Sequence, residues 1–189
     1  DGAPVDEELT ELLATGERSA FHGRPAAGVA PLQRAVEMAH ASGRDAEATA
    51  AAWLLGVCLG AAGRYGAATA VLEPLANAEP EEPERRLFSS LAAATLASVY
   101  RQIGRHADGR AIDTRALELA EDAPEARFDA LLGLAADAVG LGEAETAEHA
   151  LAEATALASV RGDWWRQRVR LDWVRAESAL LRGGPADAV

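Results

Sequence analysis

The sequence predicts an all-α protein, a right-handed α-solenoid of about four and a half helix-turn-helix repeats. Three observations carry that expectation. First, Gly23, Gly63, Gly104, Gly142 and Gly184 recur at spacings of 40, 41, 38 and 42 residues, each flanked on both sides by a stretch of helical periodicity. Second, hydrophobic residues make up 49% of the 189-residue chain but aromatics only 5%. Alanine therefore carries much of the apolar surface; it is the best helix former and lets helices approach closely. Third, few segments are rich in β-branched residues or alternate with period two, which disfavours strands. The length suits one domain with a sizeable core.

The first helix is expected over residues 5–21, with Leu9, Leu12 and Leu13 apolar, and Gly23 ends it as a C-cap glycine. Pro25 opens the second helix, 25–41, where its missing N–H costs nothing; Val29, Leu32, Val36 and Ala39 share one face. The second pair spans 46–62 and 65–78, with Val71, Leu72 and Leu75 inward, and Pro74 should kink or shorten its second helix. Residues 77–84, with two prolines and four glutamates, read as an acidic loop. Helices over 84–103, 106–121, 124–141 and 143–160 follow, and Asp163 is placed as N-cap of a fifth first-type helix, 164–182. The repeats thus divide as 5–44, 45–83, 84–123, 124–162 and an incomplete 163–189. Starting at Asp1 and reaching only one turn past Gly184 and Pro185, the chain is expected to be a fragment of a longer protein.

The formal charge is −12, and all 18 cationic side chains are arginine. Net acidity argues against generic binding to nucleic acid or an anionic membrane, since phosphate attraction needs a basic face. Cys58 stands alone, so no intrachain disulfide or cysteine-rich zinc site can form, and its apolar neighbours predict a buried thiol. No apolar run approaches a membrane span, and no signal peptide opens the chain, so a cytoplasmic setting is expected. There is no HExxH, CxxC, Gly-rich phosphate loop or GxSxG. His22, His40, His106 and His149 lie far apart, so neither a metal site nor a cofactor is expected, and no nucleophile, base and orienter converge as an enzyme needs.

Within each pair, small and large residues recur at set places. Ala52, Leu55, Gly56 and Leu59 precede Gly63, and Ala68, Leu72, Leu75 and Pro80 follow it. The third unit offers Ala93, Leu96, Ala97 and Tyr100, then Gly109 and Ala116; the fourth offers Leu131, Leu134, Ala135 and Ala138, then Ala147, Leu151 and Ala154. Across nearly its whole length the chain resembles a tetratricopeptide-repeat (TPR) array. Its period near 40 departs from the usual 34 and is similar to the TPR variants of kinesin light chains and of bacterial regulators with helical sensor domains. Asp113 stands where the third unit should carry a large apolar residue, which predicts a shift in register there. A HEAT-like repeat is the alternative fold.

In such a stack the first helix of each pair lines the concave side. The candidate groove residues are Phe21, Trp53, Val57, Arg101, Gln102, Val139, Arg168, Leu171, Arg175 and Arg182. Arg168, Arg175 and Arg182 are seven apart and form one stripe on the fifth first-type helix. Trp164, Leu171 and Ser178 run beside that stripe, with Trp165, Val169, Trp173 and Leu180 placed toward the core. These arginines are expected to pair with Glu and Asp of the acidic neighbour helix or to be solvated; the alternative is that Arg101, Arg175 and Arg182 hold a carboxylate, since arginine forks grip carboxylates bidentately. The expected function is a scaffold that binds a protein or a peptide with acidic residues or a free carboxylate, with the sensing arm of a bacterial regulator as its narrower form. Self-association through an open C-terminal end, giving a homo-oligomer, is the alternative, and a small-molecule sensor a third.

Overall fold

The computed structural model describes the backbone of residues 3–183 and the side chains of residues 6–183. Within them the chain forms nine helices and no strand: α1 (Ala3–His22), α2 (Pro25–Ala41), α3 (Asp45–Ala61), α4 (Tyr65–Ala76), α5 (Pro83–Gln102), α6 (His106–Ala120), α7 (Pro124–Gly140), α8 (Ala144–Ser159) and α9 (Trp165–Leu181). Each helix packs on the next, and α1, α3, α5, α7 and α9 also touch in succession, so helix hairpins stack into a row.

The turns follow from backbone sterics. Gly63, Gly104 and Gly142 hold φ of 74°, 76° and 76°, a left-handed conformation that a Cβ makes costly. Gly183 turns the chain after α9, with φ 88°; the turn expected at Gly184 and Pro185 lies outside the described residues. Gly43 adds a left-handed turn between α2 and α3 that the 40-residue spacing does not reveal. Pro74 sits inside α4, which ends two residues later as the shortest helix, at 12 residues. Asp163 does not cap α9: Trp164 holds the N-cap position, with no side-chain bond.

Counting from each turn glycine fixes the packing. Seven residues before it lies a small side chain (Gly16, Gly56, Ala97, Ala135), and nine after it a larger one (Leu32, Leu72, Asp113, Leu151), all buried. A Cβ on Gly16 or Gly56 would overlap the side chain of Leu32 or Leu72, so the two helices of a pair touch at van der Waals distance there. Asp113 keeps this place without any slip of register. Three apolar clusters result: one across α1–α3 around Leu9 and Met38, one across α2–α7 around Leu32, Leu54 and Leu72, and one across α7–α9 around Phe128 and Trp164. Cys58 is fully buried in the second of these, and burial pushes its thiol pKa up.

Candidate functional site: an inner groove with an ionic wall

The first helices of the pairs share an inner face, and a groove of about 510 Å³ runs along it. Helix periodicity sets its walls. Phe21 from α1, Trp53 and Val57 from α3, Ser98, Arg101 and Gln102 from α5, Asp129 from α7, and Arg166 and Arg170 from α9 all border it. The floor is aromatic. Trp53 packs against Phe21 with ring centroids 6.2 Å apart and against Phe88 at 5.8 Å. Its Nε1 donates to Thr95 Oγ1 at 3.1 Å, which fixes the indole plane. Across the groove the Arg166 guanidinium lies 4.8 Å above the Phe21 ring, joining residues 145 positions apart, so the row curves back on itself.

The cations along the groove differ in how they are held. Arg170 Nη1 donates to Asp129 Oδ1 at 2.7 Å. Arg101 is anchored from behind: Nη1 donates to Asp113 Oδ2 at 2.5 Å, to Asp137 Oδ2 at 2.9 Å and to the Gly133 carbonyl at 3.3 Å. Both carboxylates have no exposed surface, and His106 Nδ1 lies 3.3 Å from Asp137 Oδ1. Two carboxyls therefore face one guanidinium, and Asp113 Oδ1 has no partner among the described residues. Burial pushes the Asp113 carboxyl well above the usual carboxylate range, against the pull of Arg101, and raises Asp137 for the same reason. Glycines make this arrangement possible: a Cβ on Gly133 would collide with the Asp113 carboxylate, and one on Gly109 would come within 2.9 Å of the Asp137 oxygens. Among the described cations of the groove, Arg166 alone has neither an ion pair nor a hydrogen bond and rests on an aromatic ring.

Of the ten residues expected in the groove, the structure places Phe21, Trp53, Val57, Arg101 and Gln102 there. The other five lie elsewhere. Leu171 is buried in the α7–α9 core, and Val139 packs against that core. Arg175 and Arg182 border a separate cleft between α8 and α9, where Arg175 Nη2 donates to Thr155 Oγ1 at 2.7 Å and Arg182 pairs with Glu148. Arg168 Nη2 donates to the Arg161 carbonyl at 2.5 Å. For the four residues of α9 and its C-cap the cause is one rotation of that helix: Trp164, Leu171, Val174 and Ser178 face the core, while Trp165, Val169, Trp173 and Leu180 stand exposed, the reverse of the expected faces. Arg166, Arg170, Tyr65 and Asp129 escaped the sequence reading because their place in the groove depends on that rotation and on curvature.

A second, smaller slot of about 240 Å³ adjoins the groove and shares Arg101 and Arg170 with it; Leu132, Ala136, Val169 and Trp173 supply its apolar walls. Among the described residues no cluster of His, Cys, Asp and Glu is placed to hold a metal ion, and no helix is long and apolar enough to cross a membrane.

No protein-family model and no curated protein matches the chain. Solved structures do match its fold. One is a crystal structure of nearly identical TPR-like repeats from Podosopora anserina, described as a kinesin light chain: 18% identical, TM-score 0.65, covering 95% of this chain and 89% of that one. A point variant of that same repeat protein matches at 17% identity and TM-score 0.67 with the same coverage. At this identity the likeness concerns the fold, and the fold is a TPR-like helical-repeat solenoid.

Proposed function

We propose that this TPR-like solenoid is a protein-interaction scaffold whose inner groove receives a peptide segment of its partner. TPR-like folds generally mediate contacts between proteins, and nothing among the described residues of this groove resembles a set of reacting groups. The observation that supports the reading is the groove's chemistry: an aromatic floor of Phe21 and Trp53, hydrogen-bonding side chains of Ser98 and Gln102 on the rim, and a guanidinium without an acceptor at Arg166. An extended peptide can place an apolar side chain on the indole and a carboxylate on Arg166, where the fork geometry of arginine suits it. Arg101 contributes shape rather than free charge, because Asp113 and Asp137 already neutralise it.

Selection of a random peptide library displayed on phage, with the chain immobilised, tests this. Selected peptides are expected to lose at least about tenfold in affinity with Trp53→Ala and with Arg166→Ala, the loss at Arg166 shrinking as salt rises. Peptides that bind both variants as tightly as the parent protein would place recognition outside the groove.

A further inference from the structure

Five of the eight large hydrophobic side chains that stand exposed among the described residues belong to one helix, α9. Trp165, Val169, Trp173 and Leu180 keep 65%, 59%, 68% and 63% of their surface open, and Leu181 keeps 40%. At about 100° per residue the first four fall within a narrow arc. That arc lies opposite Leu171, Val174 and Ser178, which α9 buries against its neighbours. An apolar stripe of this size on a chain of charge −12 marks an interaction face.

The described side chains at the other end of the row look different. There the described part of α1 presents Asp6, Glu7, Glu8, Glu11 and Glu17 to solvent and no large apolar residue, a polar face. Head-to-tail stacking would set indoles against carboxylates. The stripe's own match is a second stripe. Its two borders also suit such a partner: Arg168, Asp172 and Arg175 flank one side, and Arg166, Arg170 and Glu177 the other. A two-fold axis with antiparallel helices sets each border against its own copy, and each carries both signs of charge.

We infer that two copies of this chain pair through α9, helix antiparallel to helix, about a two-fold axis near Trp173. The inference shares Arg166 and Arg170 with the groove but rests on the apolar stripe, which faces away from it. Two indoles and three aliphatic side chains offer on the order of 500 Å² per copy, so the dimer sits near the roughly 1,000 Å² floor for a specific interface and is a dissociating one. The second copy also closes the slot between α7 and α9, whose outer wall is Val169 and Trp173.

Sedimentation equilibrium of the chain from about 1 to 300 μM tests it, that range bracketing a micromolar Kd. A monomer–dimer equilibrium is expected, with Trp165→Glu and Trp173→Glu each raising Kd at least about thirtyfold while leaving unchanged the far-UV circular dichroism and the Tm measured at a concentration too low for association, since both side chains are exposed. Trp173→Cys should form a disulfide-linked dimer on oxidation, the native Cys58 being buried. A monomer throughout the range, a dimer indifferent to both glutamates, an open series of polymers, or a Trp173→Cys chain that never cross-links would each overturn the inference. So would a monomer that co-sediments with phosphatidylserine vesicles through these tryptophans, which would assign the stripe to a lipid surface.

Discussion

Asp113 occupies the place that Leu32, Leu72 and Leu151 fill in the other units, and it brings a charge into the joint between the third and fourth pairs. Its folded-state pKa exceeds the unfolded one because burial outweighs Arg101. A carboxyl raised in this way contributes stability that is fully present below the unfolded value and is lost as pH rises through the folded value. The parent chain should therefore gain stability on mild acidification from neutral pH. Asp113→Asn keeps the volume and an acceptor for Arg101 while removing the excess charge, so at pH 7 it should match or exceed the parent by about 1 kcal/mol. It should also show a flatter pH profile; urea titrations at pH 7 and pH 5 read both. A parent less stable at pH 5 with an identical Asn profile would mean that Arg101 holds both carboxylates ionised. Gly56 states the opposite rule, where absence of a side chain is the requirement. Gly56→Ala gains helix propensity, yet its Cβ meets a Leu72 that has no exposed surface and no room to move. A net loss of about 2 kcal/mol in urea unfolding is expected, where a gain would show that the helix crossing can relax.

Element by element, α9 is the one whose burial cannot be inferred from its own residues. Trp164 sits against Phe128, ring centroids 5.5 Å apart, and is 3% exposed, while the adjacent Trp165 is 65% exposed. Truncating them should separate cleanly. Trp164→Ala removes a core anchor and should cost about 3–5 kcal/mol. Trp165→Ala touches a surface side chain and should fall within about 0.5 kcal/mol of the parent. Thermal unfolding of the two variants, at a concentration too low for association, measures the difference; equal costs would mean that α9 is rotated from the orientation seen. Arg168, Arg175 and Arg182 follow the same rotation away from the groove: Arg175 reaches Thr155 and Arg182 reaches Glu148 on α8, while Arg168 bonds the Arg161 carbonyl before α9.

The molecule as a whole is a row whose apolar core falls into three clusters. The cluster that runs from α2 to Ala130 of α7 and the α7–α9 cluster meet across Leu117, beside the group of Arg101, Asp113, Asp137 and His106. Repeat arrays open locally because each unit contacts only its neighbours. Native-state hydrogen exchange should accordingly show α7–α9 opening at lower free energy than α3–α5, and Leu151→Ala should widen that gap without touching α3. A single uniform protection level would mean that the ionic joint couples the halves as tightly as an apolar one. The sequence by itself determined the helix pairs and the turns at Gly63, Gly104 and Gly142, because glycine takes a left-handed backbone at least cost and because small and large side chains must alternate at set distances from it. It also placed Phe21, Trp53, Val57, Arg101 and Gln102 on the inner face, since helical periodicity fixes which residues share a side. Only the tertiary structure decided which of the two stripes of α9 is buried, because the stripe with two tryptophans is left exposed and the one that includes Ser178 is covered, a choice that lies with α7 and α8. The same holds for Arg166 over Phe21 and for Arg101 between Asp113 and Asp137. Curvature is the sum of small rotations over all the pairs, and an ion pair between residues 36 positions apart leaves no periodic trace in the chain that forms it.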